Sequence, residues 1–318
     1  MKLVMTGREG EAFFHLVEEM DLPGLEVVRT NTMEETLAAV ADAEVFFGHP
    51  SVPLTDAAPA LRWIQAPSAG VEHIVKIPAI LERNITVTNS RGAHGPSIGE
   101  HAIALLLALT RELHTCFKQQ AEHNWTREVL YKSNREVMGM TMGILGYGAL
   151  GRGIAQRAHG FEMKLLAVDA RAVDGHPFVE EVWPTSRLDE MLSLVDVLVV
   201  STPLTAETRL LLDAAALARM KPDAYLIVVS RGGIVDEAAL ETALRDGKLA
   251  GAALDVTAIE PLPADSPLWE APNLILTPHT AGASAPKERR VVEIFRENIV
   301  RYVAGDPLLN VVDPVTGF

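Results

Sequence analysis

A single cysteine, Cys116, stands among 318 residues, so no internal disulfide can form, and this usage fits a reducing cytoplasm. Cys116 falls in a helical pattern and reads as a small apolar residue of that helix. Long apolar runs are also missing. The longest, Ala102 to Leu109, is far short of the roughly 20 residues that cross a bilayer, and the opening Met1–Thr6 is too brief for a secretory signal. Positive charge is scarce. With 28 Lys and Arg against 42 Asp and Glu, the formal net charge is −14, and no basic stripe offers itself to nucleic acid or to an anionic membrane. A small anionic substrate is still compatible, since it needs only one or two local cations. No internal repeat or low-complexity segment is visible, and the length allows two domains with sizeable cores.

What is present centres on Met142 to Asp169. Met142–Leu145 reads as a buried parallel strand. The chain then turns through Gly146-Tyr147-Gly148-Ala149-Leu150-Gly151 into a helix-like segment, Ile154 to His159, and a second apolar run, Leu165–Val168, ends in Asp169. In Gly-x-Gly-x-x-Gly the first glycine makes the tight turn, the second admits a pyrophosphate, and the third lets helix and strand pack closely. Gly146, Gly148, Ala149, Leu150 and Gly151 are therefore expected to hold a dinucleotide, its pyrophosphate on the free N–H groups of the helix N-terminus. Asp169 suits the adenosine ribose hydroxyls and would repel a 2′-phosphate. Arg171, two positions on, offers that phosphate a cation or pairs with Asp169 instead. NAD, with NADH preferred over NADPH, is the expected cofactor.

The first hundred residues alternate strand candidates (Leu3–Met5, Glu26–Arg29, Val45–Gly48, Trp63–Gln65, Thr86–Thr88) with helical patterns over Gly10–Met20 and Met33–Ala41. This points to a parallel sheet with helices on both faces. Pro67–His73 follows a strand directly, and its small residues at Ser68, Ala69, Gly70 and Val71 would let backbone N–H groups face a ligand. Alone, it also reads as a plain strand–helix turn. Ser97-Ile98-Gly99-Glu100 has the form of a capping box, with Pro96 just outside it. A helix of about 20 residues is expected to follow, linking the first domain to the dinucleotide domain. Gln119 to Met140 turns polar, with Trp125 and Tyr131, and reads as an arm or long loop packed against something, a second subunit being one option.

After Asp169 the alternation resumes. Asp196–Val200 leads to Ser201-Thr202, Tyr225–Val229 to Ser230-Arg231, Ala252–Leu254 to Asp255, and Leu274–Leu276 to Thr277-Pro278-His279. Thr202, Val229 and Asp255 are thus expected on the edge where the cofactor lies. A helical pattern beyond Pro286 would return the chain to the first domain, with Leu308–Val312 completing it. The division read from this is 1–101 and 288–318 for one domain, 102–287 for the other.

Arg231, Glu260 and His279 form a chemical kit. Arginine grips a carboxylate with two parallel hydrogen bonds, histidine passes a proton to a carbonyl oxygen near neutral pH, and a carboxylate beside the imidazole favours its charged form and fixes the tautomer. That combination suits reduction of a 2-oxo acid, and no metal is expected. Singly, each has an ordinary structural alternative: a surface ion pair, a solvated acid, a loop histidine.

On the stretches Ser68–Ile74, Gly99-Glu100-His101, Gly143–Gly151, Pro203-Leu204-Thr205, Ser230–Glu237, Leu254–Pro263 and Thr277–Ser284, the chain resembles the family of D-isomer-specific 2-hydroxyacid dehydrogenases nearly end to end. The resemblance implies an α/β architecture: a discontinuous flavodoxin-like substrate domain, built from both chain ends, around an inserted Rossmann-type NAD-binding domain. It implies that Arg231 binds the substrate carboxylate and carbonyl oxygen, and that His279 is the acid/base with Glu260 as partner. It implies that Asp255 contacts the nicotinamide carboxamide and that backbone amides of Ala69, Gly70 and Val71 hold the substrate carboxylate. It also implies a homodimer through the dinucleotide-binding domain.

Three positions depart from the family's usual pattern. Val228 stands where many relatives carry asparagine, Ile259 where an acid is common, and His94 maps to no standard role. Formate dehydrogenases of this fold resemble a pattern with glutamine in place of Glu260. The alternative from another class is an NAD(H)-binding corepressor-like assembly protein of the same fold, which would bind NADH with little turnover.

Overall fold

The structure, a computed structural model, describes residues 1–6, 14–15, 17, 19–20, 22–171, 178–314 and 317. The chain divides into two compact units, Met1–His94 with Ser284–Phe318, and Gly95–Ala283.

The first unit holds β1 (Lys2–Thr6), β2 (Glu26–Thr30), β3 (Val45–Phe47), β4 (Trp63–Gln65) and β5 (Thr86–Thr88). All pair in parallel, in the order β2-β1-β3-β4-β5. Period-two alternation sends Val4, Phe46, Ile64 and Val87 to one core, and Leu3, Met5, Val45, Phe47 and Trp63 to the other. The second core is closed by the helix Ala285–Ala304, whose Phe295 ring lies 4.7 Å from that of Phe47. Its start, one residue before Pro286, reflects how well proline suits a first helical turn. The chain end then lies along β5, with the Val312 amide 2.9 Å from the Val87 carbonyl oxygen.

The second unit contains β6 (Thr141–Leu145), β7 (Lys164–Asp169), β8 (Val182–Pro184), β9 (Val197–Val200), β10 (Tyr225–Val228), β11 (Gly251–Leu254) and β12 (Leu274–Leu276). They form a parallel sheet in the order β12-β11-β10-β9-β6-β7-β8. The chain runs outward from β6 through β7 to β8, then returns to the other side of β6 at β9. The order therefore reverses between β6 and β9, which is where ligands of such sheets bind, beyond the strands' carboxyl ends. The sequence reading lacked β8, a three-residue edge strand ending in proline, a residue that edges tolerate.

Two further points differ from the sequence reading. The helix expected to run about 20 residues from a capping box spans Gly95–Thr110, and the chain breaks at Glu112 (φ 54°) before a second helix, Leu113–Ala121. The residues of the box lie inside Gly95–Thr110 rather than at its cap: Ser97 Oγ donates to the Gly282 carbonyl at 3.4 Å, and Glu100 accepts from Arg157 at 2.9 Å. Pro96 stands in the first turn of this helix, which proline suits, and the turns that follow pack closely. A Cβ on Gly99 would lie 2.7 Å from the Gly153 carbonyl oxygen, and one on Gly153 would lie 2.6 Å from that of Gly95. Gly95–Thr110 therefore beds backbone to backbone on the helix Ala149–Gly160, both within the compact unit Gly95–Ala283. Most of the pattern read over Gly10–Met20 lies outside the described residues. The stretch read as an arm or long loop contains the helix Arg127–Ser133 and leaves Trp125 fully exposed, at 92%.

Candidate active site

At the end of β6 the glycine turn takes the shape its spacing suggests. Gly146 has φ 92°, and a side chain there would strike Thr202, whose amide nitrogen would be 2.6 Å from a Cβ. That approach joins the loops beyond β6 and β9 at the point where strand order reverses. Gly151 has no room for a Cβ against the Gly146 carbonyl, whereas the Cβ position of Gly148 meets nothing within 4 Å. Gly148 is also the N-cap of the helix Ala149–Gly160, and among the described residues no side chain caps it. A helix start with uncapped amides and open space above a glycine suits an anionic group brought close to the backbone. The residues present therefore fit a dinucleotide's pyrophosphate.

Asp169 closes β7 on this turn. Its carboxylate accepts the Tyr147 amide at 2.6 Å and the Arg171 amide at 2.9 Å, so each oxygen already carries one backbone donor and keeps room for another. Val229 continues β10 and is buried, and Thr202 is half-buried.

Beyond β10, β11 and β12 the second unit gathers its reactive side chains. His279 Nδ1 lies 2.7 Å from Glu260 Oε2, and the pair remains open to solvent. Glu260 Oε1 in turn accepts the Thr257 amide at 3.1 Å, and Glu237 accepts the neighbouring Ala258 amide at 2.6 Å. Burial, with the Asp236 and Glu260 charges adding to it against that amide bond, holds the Glu237 carboxyl above the usual range. Arg231 donates from Nη1 to the Ser230 carbonyl at 2.7 Å, which holds one tip of its guanidinium near the end of β10.

His279 is itself an unusual backbone position, with φ 52°. A non-glycine residue in this left-handed region costs on the order of 1–3 kcal/mol and persists only where its surroundings impose it. Asp255 does so. Its carbonyl accepts the His279 amide at 2.8 Å, and its side chain accepts the Thr277 hydroxyl at 2.6 Å and the Thr280 and Ala281 amides at 2.9 Å each. His101 Nε2 sits 3.1 Å from the Thr277 hydroxyl and 3.4 Å from Asp255 Oδ1. Asp255 is only 1% exposed. Burial alone would push its carboxyl up, but the hydrogen bonds from His101, Thr277, Ala281 and Thr280 outweigh that and hold it below the usual carboxylate range.

In the first unit, the loop after β4 presents the opposite situation. Its carbonyls are engaged: Ala69 accepts from Asn89 Nδ2 at 2.8 Å, Gly70 from Ser68 Oγ at 2.7 Å, and Val71 from the Ile74 amide at 2.8 Å. Among the described residues nothing accepts from the amides of Ala69, Gly70 and Val71. Successive unpaired N–H groups in a braced loop make an anion-binding concavity.

Sequence reasoning passed over His101, Thr277 and Glu237 as functional residues. Their signal was weak: each lay in a stretch that carried the resemblance, but nothing local tied any of them to His279 or Glu260.

The two parallel sheets, the glycine turn at the reversal point and the histidine–carboxylate pair define a two-unit α/β protein of the nucleotide-binding dehydrogenase type. The NAD-binding-domain model of the D-isomer-specific 2-hydroxyacid dehydrogenases matches residues 103–281. A glyoxylate reductase from Thermofilum pendens is 36% identical over 256 residues, covering 79% of this chain and 74% of the relative. A family member from Aeromonas salmonicida of known structure superposes with TM-score 0.87 at 34% identity, covering 98% of each chain. The NADPH-dependent glyoxylate/hydroxypyruvate reductase of Sinorhizobium meliloti, solved with NADP and sulfate, has TM-score 0.85 at 25% identity over all of both chains. The chain belongs to the D-isomer-specific 2-hydroxyacid dehydrogenase family.

Proposed function

We propose that the protein is an NAD(H)-dependent oxidoreductase that interconverts a small 2-oxo acid and the corresponding D-2-hydroxy acid. The observation that carries this reading is the 2.7 Å bond between His279 Nδ1 and Glu260, set on strand ends of the sheet that bears the glycine turn. When bound, the nicotinamide dinucleotide supplies or takes up the hydride. Because Glu260 holds Nδ1–H, Nε2 of His279 is left to give a proton to the carbonyl oxygen during reduction and to recover it during oxidation. Arg231 grips the substrate carboxylate and polarises the carbonyl, and the amides of Ala69, Gly70 and Val71 offer donors to the same kind of carboxylate. Asp255 Oδ2, with one amide donor among the described residues, keeps a lone pair for the carboxamide contact implied by the family.

The test is a panel of 2-oxo acids, from glyoxylate and hydroxypyruvate to branched and aromatic ones, with NADH and NADPH, followed at the nicotinamide absorbance. Turnover of at least one acid is expected. Tight NADH binding with negligible turnover of all would favour the corepressor-like reading instead.

For the cofactor we propose NADH over NADPH. Repulsion between Asp169 and a 2′-phosphate is worth ~1–3 kcal/mol, roughly 5- to 150-fold in preference. The Sinorhizobium relative's use of NADPH sets the opposing case, and exposed Arg171 is the residue here that would favour it. Equal efficiencies with the two cofactors would show that Asp169 does not govern the pocket.

We further propose a homodimer in the cytoplasm, formed through the second unit. Phe117, Trp125 and Tyr131 are largely exposed there, around a concavity of about 680 Å³ that Cys116, Trp125, Leu130 and Tyr131 help to line. Apolar surface of this kind marks an interaction site. Sedimentation of Trp125→Asp as a monomer beside a dimeric wild type would support it, and a monomeric wild type would refute it. Among the described residues no helix is long and apolar enough to cross a membrane.

A further inference from the structure

We propose that His101 is a positioning residue for His279, acting through Thr277 and Asp255; this rests on the acid/base part proposed for His279. The hydroxyl of Thr277 has a single proton, and that proton lies on Asp255 Oδ1 at 2.6 Å. His101 Nε2, 3.1 Å from the same hydroxyl oxygen, must therefore be the donor in its own contact. The proton order is thus fixed along a row: His101 Nε2–H to Thr277 Oγ1, and Thr277 Oγ1–H to Asp255 Oδ1. Among the described residues the further donors to the Asp255 side chain, the amides of Thr280 and Ala281, come from the loop that carries His279. His101 comes from elsewhere, the helix Gly95–Thr110.

That origin gives the row its purpose. Gly99, two residues before His101, packs so tightly on the Gly153 backbone that the helix cannot slide along its neighbour Ala149–Gly160. Ala149–Gly160 is in turn the helix that begins at the glycine turn. His101 therefore ties the left-handed backbone of His279 to the same two-helix body that carries the dinucleotide cradle. Removing the tie takes the donor from Thr277 Oγ1, so its hydroxyl is no longer held in line with the buried Asp255 carboxylate. The His279 loop then loosens relative to the cofactor site, while the cradle itself is untouched. A positional error of this kind acts on the chemical step rather than on cofactor affinity.

The experiment uses full-length His101→Ala, His101→Gln and Thr277→Val proteins and the double variant His101→Ala/Thr277→Val. It measures kcat with a turned-over 2-oxo acid and NADH dissociation by fluorescence. We expect His101→Ala to lower kcat by about tenfold or more with NADH affinity changed less than about twofold, a split that a general loss of structure does not produce. His101→Gln, which keeps an N–H donor, should recover most of the loss. The double variant should be no worse than the poorer single one, because both cut one row. Should His101→Ala fail to fold, the nearly isosteric Thr277→Val carries the same expectation. Full kcat in His101→Ala, a Gln variant as poor as Ala, losses that multiply in the double variant, or NADH affinity falling in step with kcat would each overturn the proposal. A His279→Gln protein that still turns over would instead overturn the acid/base reading beneath it, so the two failures are distinguishable.

Discussion

The two sheets treat backbone amides at their carboxyl edges in opposite ways. Beyond β4, the carbonyls of Ala69, Gly70 and Val71 are engaged while their amides are left without acceptors among the described residues. Beyond β12, the amides of His279, Thr280 and Ala281 are all taken up, each by Asp255. The first arrangement offers main-chain donors to an anion and owes little to the side chains it displays. The second spends its main chain on holding one side chain, His279, in a backbone conformation it would not choose alone. One loop leaves its backbone donors open, the other uses them to fix a side chain. Substitutions should separate the two sharply.

The largest effect belongs to the presented group. His279→Gln should lower turnover about a hundredfold or more, the usual scale of general acid–base catalysis, with NADH binding little changed. Near-normal turnover would remove His279 from the chemistry and dissolve the contrast. Next comes the holder. Asp255→Asn replaces one of the two accepting oxygens with an NH2 donor, so that either the Thr280 or the Ala281 amide of the His279 loop loses its acceptor. A loss of about 1–3 kcal/mol in unfolding free energy is expected, together with reduced kcat.

Acid sharpens the same point. Because the Asp255 carboxyl is held below its unfolded value, its contribution is present above that value, near pH 4, and is lost as pH falls through the folded one. Wild-type stability should fall through this acid window more steeply than that of Asp255→Asn in denaturant titrations. Parallel curves would mean that Asp255 is not the group responsible.

How legible this was from sequence depends on whether the cause was local. Apart from β8, the strands of both sheets follow from short apolar runs, and the glycine turn from its spacing: Gly151 packs against the turn itself, although Gly146 meets the remote Thr202. Arg231, Glu260 and His279 were legible as residue types at strand ends. The close bed of the helix Gly95–Thr110 was not, because it lies against the remote Gly153, and residues shaped like a capping box turned out to bond elsewhere. Nor was the hold on His279, which joins His101, Asp255 and Thr277 from three separate elements. β8 was missed for a plainer reason: three residues ending in a proline carry too little pattern to be read as a strand.

The smallest effects should come from the backbone-binding loop, and they make the cleanest break test. Asn89, 3% exposed, braces the loop by donating to the Ala69 carbonyl at 2.8 Å while its own Oδ1 accepts the Arg91 amide at 3.1 Å. Asn89→Ala removes the brace but none of the three amides. The carboxylate should still bind, to donors that must now be ordered on binding, so KM for the 2-oxo acid should rise only about 3- to 10-fold, with kcat nearly unchanged. Ala69→Ser alters a side chain and leaves its amide in place, so KM should move by less than about twofold. Steady-state kinetics on both variants beside wild type decide the matter. If Ala69→Ser raises KM more than Asn89→Ala does, side chains rather than amides govern that loop, and the contrast between the two edges fails.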